Sequence, residues 1–229
     1  MIGDYKKFLK KFKEKGYEFI SFDDLDLNSS SQLILRHDID FDIKSAYEIA
    51  KIEYKENISS TYFFLLRNES YNFFSKTNIS LVKEIIKLGH KVSIHFDANL
   101  YSDSFKGIKK EIDLFNTFFN TQIKIVSLHR PSKKILSDIE NFKHTKTTYD
   151  EKFFSKIKYF SDSTGKFRYG HPFDSIEFKN NQNIQLLIHP IWWIGQGNNN
   201  NKIVDWLRTL KIKNIDQYLN DNLSFYENK

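Results

Sequence analysis

Cysteine is absent from the chain. Disulfides, thiolate metal ligands and a cysteine nucleophile are thereby excluded, and any metal must be held by nitrogen and oxygen. No stretch is long and apolar enough to span a bilayer, and the N-terminus lacks the apolar centre of a signal peptide. A cytoplasmic protein without a transmembrane segment is therefore expected. No zinc-finger, helix-turn-helix or RNA-recognition signature accompanies the net charge of +6, so nucleic acid is not an expected partner. The same charge would attract an anionic small substrate such as a sugar nucleotide. The glycines near Gly195–Asn201 lack the lysine and helix context of a phosphate-binding loop and read as a flexible turn.

Proline and arginine are scarce, and their placement is informative. The three prolines, Pro131, Pro172 and Pro190, directly follow Arg130, His171 and His189. Proline holds its predecessor extended and donates nothing to a strand ladder, so it suits a strand end. Of 35 basic residues only five are arginine: Arg36, Arg67, Arg130, Arg168 and Arg208. An arginine kept where lysine is otherwise used suggests a need for a planar, bidentate donor.

Short apolar runs ending in reactive side chains recur. Leu33–Asp40 ends in Asp38 and Asp40, Lys91–Asp97 delivers His95, and Ile123–Pro131 delivers His129 and Arg130. Ile184–Pro190 delivers His189, and the weaker Lys158–Ser163 delivers Asp162. Such runs suit buried strands of a parallel sheet, whose carboxyl ends collect binding and catalytic groups. In an extended chain Asp38 and Asp40 point the same way, about 7 Å apart at ~3.3 Å per residue. One could bind a cation while the other takes a proton; a solvated turn or a helix N-cap would also use them.

Strand candidates also cover Glu18–Phe22 and Ser59–Leu66, and helical spacing covers Ile43–Glu56, Ser80–Leu88 and Phe105–Phe119. The alternation predicts an α/β parallel sheet or barrel, with residues 1–229 as one domain. Lys133–Lys156 reads as helical pieces and loops, Gly165–Phe173 as loop, and Ile203–Leu210 and Ile215–Leu223 as two closing helices. Residues Asp4–Lys15 place Tyr5, Phe8, Leu9 and Phe12 on one face of a basic helix. That face would lie on a membrane or, more simply, pack on its own domain.

The set Arg-His-Asp-Ile-Asp at Arg36–Asp40, Gly-His-Lys-Val-Ser-Ile-His at Gly89–His95, Leu-His-Arg-Pro at Leu128–Pro131 and Leu-Ile-His-Pro at Leu187–Pro190 resembles the polysaccharide deacetylase superfamily. More narrowly, it is similar to a bacterial branch found in surface-polysaccharide biosynthesis. The resemblance spans roughly Leu33 to Trp193. It implies a distorted, incomplete (β/α) barrel with about seven parallel strands. It also implies metal-dependent hydrolysis of an N-acetyl or O-acetyl group on a sugar. The expected substrate is an amino sugar, nucleotide- or lipid-linked, and the same site could remove another acyl group such as formyl. By the same resemblance Asp38 is the base, Asp40 and His95 are metal ligands, Arg130 orients the base, Asp162 partners the late histidine, and His189 is the general acid.

The second histidine ligand of the family falls on Asn99, whose neutral amide oxygen is a poor replacement for imidazole. His129, at the end of another strand, would restore an Asp40–His95–His129 set, or would only hydrogen-bond substrate. The expected cofactor is a divalent metal, zinc before cobalt, nickel, manganese or iron. Arg168, Trp192 and Trp193 are candidate substrate contacts, the tryptophans suiting either a sugar face or the barrel end. Of the other histidines, His90 reads as structural, His37 as packed beneath the site, His144 as solvent-exposed, and His171 as undecided. A catalytically silent carbohydrate binder that has lost its metal is the alternative function.

Overall fold

A computed structural model describes residues 3–137, 139, 142 and 145–226; the expectation for His144 falls outside them. The described chain alternates strands and helices. The strands are β1 (Glu18–Ile20), β2 (Gln32–Ile39), β3 (Thr61–Phe64), β4 (Lys91–Phe96), β5 (Ile125–Leu128), β6 (Lys146–Thr147), β7 (Lys158–Ser161) and β8 (Ile184–Ile188). The helices are α1 (Tyr5–Glu14), α2 (Ile43–Lys55), α3 (Lys76–Lys87), α4 (Ser104–Phe119), α5 (Lys133–Ser137), α6 (Glu151–Phe154), α7 (Ile176–Lys179), α8 (Ile191–Ile194) and α9 (Asn200–Asn222).

Seven strands run in the order β6-β5-β4-β3-β2-β8-β7, and every pairing is parallel. The result is an incomplete barrel, curled but not closed. β1 pairs with the start of β2, on the flank that β3 takes over further along the strand. The structure adds the two-residue strand β6 to the sequence reading and joins the two expected closing helices into one continuous α9. Nothing at Lys211–Asn214 breaks a helix, since neither glycine nor proline occurs there.

β2 organises the molecule because its two faces carry different chemistry. Leu33, Leu35 and Ile39 join the large core beneath the helices, while Ile34 joins a separate plug with Phe22, Phe63, Phe153 and Ile157. The inward column above that plug reads Arg36, Asp38, Asp40, so the barrel interior changes from apolar to charged toward its carboxyl rim. One step further, Asp42 caps α2 by accepting from the Ser45 backbone N–H at 2.7 Å. α1 buries Tyr5, Phe8, Leu9 and Phe12 in the same core, so its apolar face serves its own domain. No described helix is long and apolar enough to cross a membrane.

Candidate active site

The carboxyl ends of β2, β4, β5 and β8 converge on one cavity of 490 Å³, whose lining includes Asp38, Asp40, His95, His129, His189 and Trp192. Asp40 Oδ1, His95 Nε2 and His129 Nδ1 form a triangle with edges of 3.3, 3.5 and 3.1 Å. Ligand atoms about 2.0–2.1 Å from one ion lie roughly 3.0–3.5 Å apart in octahedral or tetrahedral arrangements, so the triangle has the right size. Asp40 Oδ1 is also buried without a hydrogen-bond partner, an uncommon state for a carboxylate oxygen and one that a cation would relieve. Burial pushes the Asp40 carboxyl up, but the His129 and His95 rings beside it and the His189 charge pull it far below the usual range. One carboxylate and two imidazoles suit a first-row divalent ion and leave positions open for other ligands. Asn99 is not part of the cluster, because its side chain turns to Asp97 Oδ1 at 3.0 Å on an exposed turn.

Asp38 lies one pleat deeper. Its Oδ2 accepts from Arg36 Nη2 at 2.9 Å and from Ser127 Oγ at 3.1 Å, while Oδ1 is buried and unpartnered. Burial raises its carboxyl, but Arg36, then His95 and His189, bring it below the ordinary value. The expectation that Arg130 would orient this carboxylate is corrected by the structure. Arg36 occupies that position because residues two apart on a strand share a face, and it is itself held by Gln185 Oε1 at 2.9 Å. Gln185 in turn donates to the Phe153 carbonyl at 2.6 Å. Arg36 is fully buried among the rings of Phe63, Tyr149 and Tyr159, where its charge persists. Arg130 is exposed at the rim and makes no hydrogen bond or ion pair among the described residues.

His189 Nδ1 meets Asp162 Oδ1 at 2.7 Å, and the His189 backbone N–H donates to the same oxygen at 2.9 Å. Its Nε2 faces Asp40 Oδ2 at 3.8 Å. Burial lowers the imidazole, but Asp162, with Asp40 and Asp38, outweighs burial and raises it to about 9. Asp162 is fully buried, and its other oxygen accepts from Trp193 Nε1 at 2.7 Å. This corrects the expectation of a sugar contact at Trp193: its indole faces inward to Asp162 and packs on Tyr5 and Phe8, away from the cavity. Trp192 does line the cavity, as does Arg168, whose guanidinium reaches Ser163 Oγ at 3.2 Å.

The other face of β2 holds a second buried cluster. Glu53 of α2 accepts from Tyr5, from Ser60 Oγ at 2.6 Å and from Tyr62 at 2.7 Å, and it meets His37 Nε2 at 2.7 Å. His37 thus packs beneath the site as expected. His90 reaches the Ala50 carbonyl, and His171 caps a turn at Phe173, so both are structural.

No family model and no curated protein matches this chain. Solved structures do. The chitin deacetylase of Colletotrichum lindemuthianum is similar at 15% identity and a TM-score of 0.51, over 84% of this chain and 86% of that one. A family 4 carbohydrate esterase from Bacillus anthracis is similar at 13% identity and 0.48, over 91% and 86%. A polysaccharide deacetylase from Bacillus cereus is similar at 15% and 0.45, over 80% and 88%. At 15% identity the likeness to the chitin deacetylase is one of architecture: this chain shares that fold.

Proposed function

We propose that residues 1–229 form a metal-dependent hydrolase that removes an acetyl or other acyl group from an amino sugar or sugar precursor in bacterial glycan biosynthesis. The observation that carries this reading is the pairing, in one cavity, of a cation-sized Asp40–His95–His129 triangle with an unpartnered Asp38 oxygen and an acid-tuned His189. Asp40, His95 and His129 would hold the ion. When bound, a divalent cation supplies polarisation of an acyl carbonyl and acidification of water.

This chain's own residues account for the proton traffic. Asp38 lines the cavity, and its Oδ1 carries no hydrogen bond while Arg36 and Ser127 fix the other oxygen. It takes a proton from water as the water oxygen attacks the acyl carbon. His189 Nε2, kept charged by Asp162, delivers a proton to the departing nitrogen as the C–N bond breaks, giving amine and carboxylate. A positioned acid of this kind is typically worth ~10²–10⁴-fold. Trp192 offers an indole face to a sugar ring. A silent carbohydrate binder would need neither the Asp38 tether nor the charged His189, and both are intact.

The test is metal titration followed by acetate release from a panel of N-acetylated sugars. We expect Asp40→Asn and His129→Ala to lose the metal, and Asn99→Ala to retain it. Asp38→Asn and His189→Ala should keep the metal and lose at least 10²-fold in turnover. Metal loss confined to Asn99→Ala would overturn the ligand set, and unimpaired turnover by Asp38→Asn would overturn the base.

A further inference from the structure

Resting on the hydrolase reading above, we propose that the substrate carries an oxyanion, a phosphate or a carboxylate, and that Arg130 and Arg168 are its receptors. The first observation is where the basic residues lie. Two clefts meet at the metal-ligand cluster, the 490 Å³ cavity and a second of 870 Å³, and share Asp40, Phe41, His129 and Arg130. The chain has 35 basic residues of which five are arginine, leaving 30 lysines. Among the described residues no lysine lines either cleft, whereas Arg67, Arg130 and Arg168 all do. Lysine supplies positive charge anywhere; a planar fork of N–H donors is what arginine adds, and that fork matches carboxylate and phosphate oxygens.

The second observation is the charge balance of the first cavity. Among the described residues its only lining carboxylates are Asp38 and Asp40. Asp38 is ion-paired to Arg36, and Asp40 lies between the two imidazoles. Neither is in hydrogen-bond contact with Arg130 or Arg168, so two guanidinium charges line the cavity without an acidic partner among its described residues. Elsewhere the pattern differs: Asp23 alone draws Lys91, Lys124 and Lys146 within 4 Å.

The third observation is backbone strain at Arg130. Its φ of +44° is left-handed, and Pro131 follows it. Side-chain-bearing residues avoid that region, and a following proline disfavours it further. Because Arg36 has taken over the Asp38 carboxylate, that strained geometry serves no ion pair among the described residues. It holds a guanidinium at the junction of the two clefts, beside the cluster where the acyl group would react. A neutral glycan would leave both charges unanswered.

Calorimetric titration of the wild-type protein tests this, with four probes: N-acetylglucosamine, its 1-phosphate, an N-acetylated aminouronic acid and inorganic phosphate. We expect the sugar phosphate or the uronic acid to bind about tenfold or more tightly than the neutral sugar, the difference between the two naming the oxyanion. Arg130→Gln and Arg168→Gln should each remove most of that preference while metal binding, titrated separately, stays intact. Arg130→Lys should restore it only in part. Binding of neutral and anionic sugars with equal affinity, of none of them, or of inorganic phosphate as tightly as the sugar phosphate would overturn the assignment. So would a preference that survives both glutamine variants. Acetate release from the same samples reads the hydrolase assignment separately. Anion preference without release leaves the oxyanion receptor standing, and release without preference leaves only the hydrolase.

Discussion

Replacing Glu53 with glutamine should cost as much stability as truncating a large core side chain, although no cavity is made. The carboxylate is fully buried and takes hydrogen bonds from Tyr5, Ser60 and Tyr62 while meeting His37, joining α1, α2, β2 and β3. Burial pushes its carboxyl up, but the His37 charge and hydrogen bond, then His90 and Ser60, bring it down from 4.5 to about 2. A carboxyl depressed on folding stabilises the fold fully above its unfolded value and loses that contribution as pH falls through its folded value. Here that loss runs from about pH 5 to pH 2, and is worth on the order of 3 kcal/mol. Glutamine would point an N–H₂ group at partners that are themselves donors, and leaving buried polar groups unmatched costs about 3–5 kcal/mol. Against a total near 5–15 kcal/mol that is a large fraction. Urea unfolding of both proteins at pH 7, 5 and 3 measures it. We expect the variant to be less stable by about 3 kcal/mol or more at pH 7, with the gap shrinking toward pH 3. A variant within 1 kcal/mol of wild type at pH 7, or a gap constant with pH, would refute the reasoning.

Two further predictions concern the site. Asp162→Asn removes the negative charge that helps to raise His189, leaving at most a weaker, neutral hydrogen bond, so the alkaline limb of turnover, where the acid is lost, should move to lower pH. A bound cation lowers the absolute position of that limb in both proteins, so the comparison between them is decisive, and an unmoved limb would place the acid elsewhere. Arg36→Lys keeps a charge but cannot bridge Asp38 and Gln185 at once; turnover should fall at least tenfold with metal affinity retained, as read by metal titration beside steady-state rates.

The strand ends were readable because each apolar run stops at a reactive side chain, and the parallel sheet then brings those ends together. The same periodicity also places residues relative to one another. Arg36 and Asp38 are two apart on one strand, which already places them side by side. Ala46, Ile49, Ala50 and Glu53 follow the helical 3–4 spacing, so Glu53 lies on the buried stripe of α2. β6 could not be found this way, since two residues carry no period. Nor could the direction of the Trp193 indole, because a four-residue helix after Pro190 sets it.

The alternation of β2 has a consequence for how the chain reaches its native state. Shifting this strand by one residue would turn Arg36 and Asp38 into the helix-covered core and send His37 and Ile39 into the cavity. Both misplaced sets would be buried without partners, since Gln185 and Ser127 wait on one side and Glu53 on the other. An all-apolar central strand would tolerate such a slip at little cost. Here two independent polar locks, one per face, admit a single alignment. The residues that equip the strand for chemistry therefore also discriminate against its misregistered folds, and variants that neutralise both locks should refold to mixed alignments even where their total hydrophobicity rises.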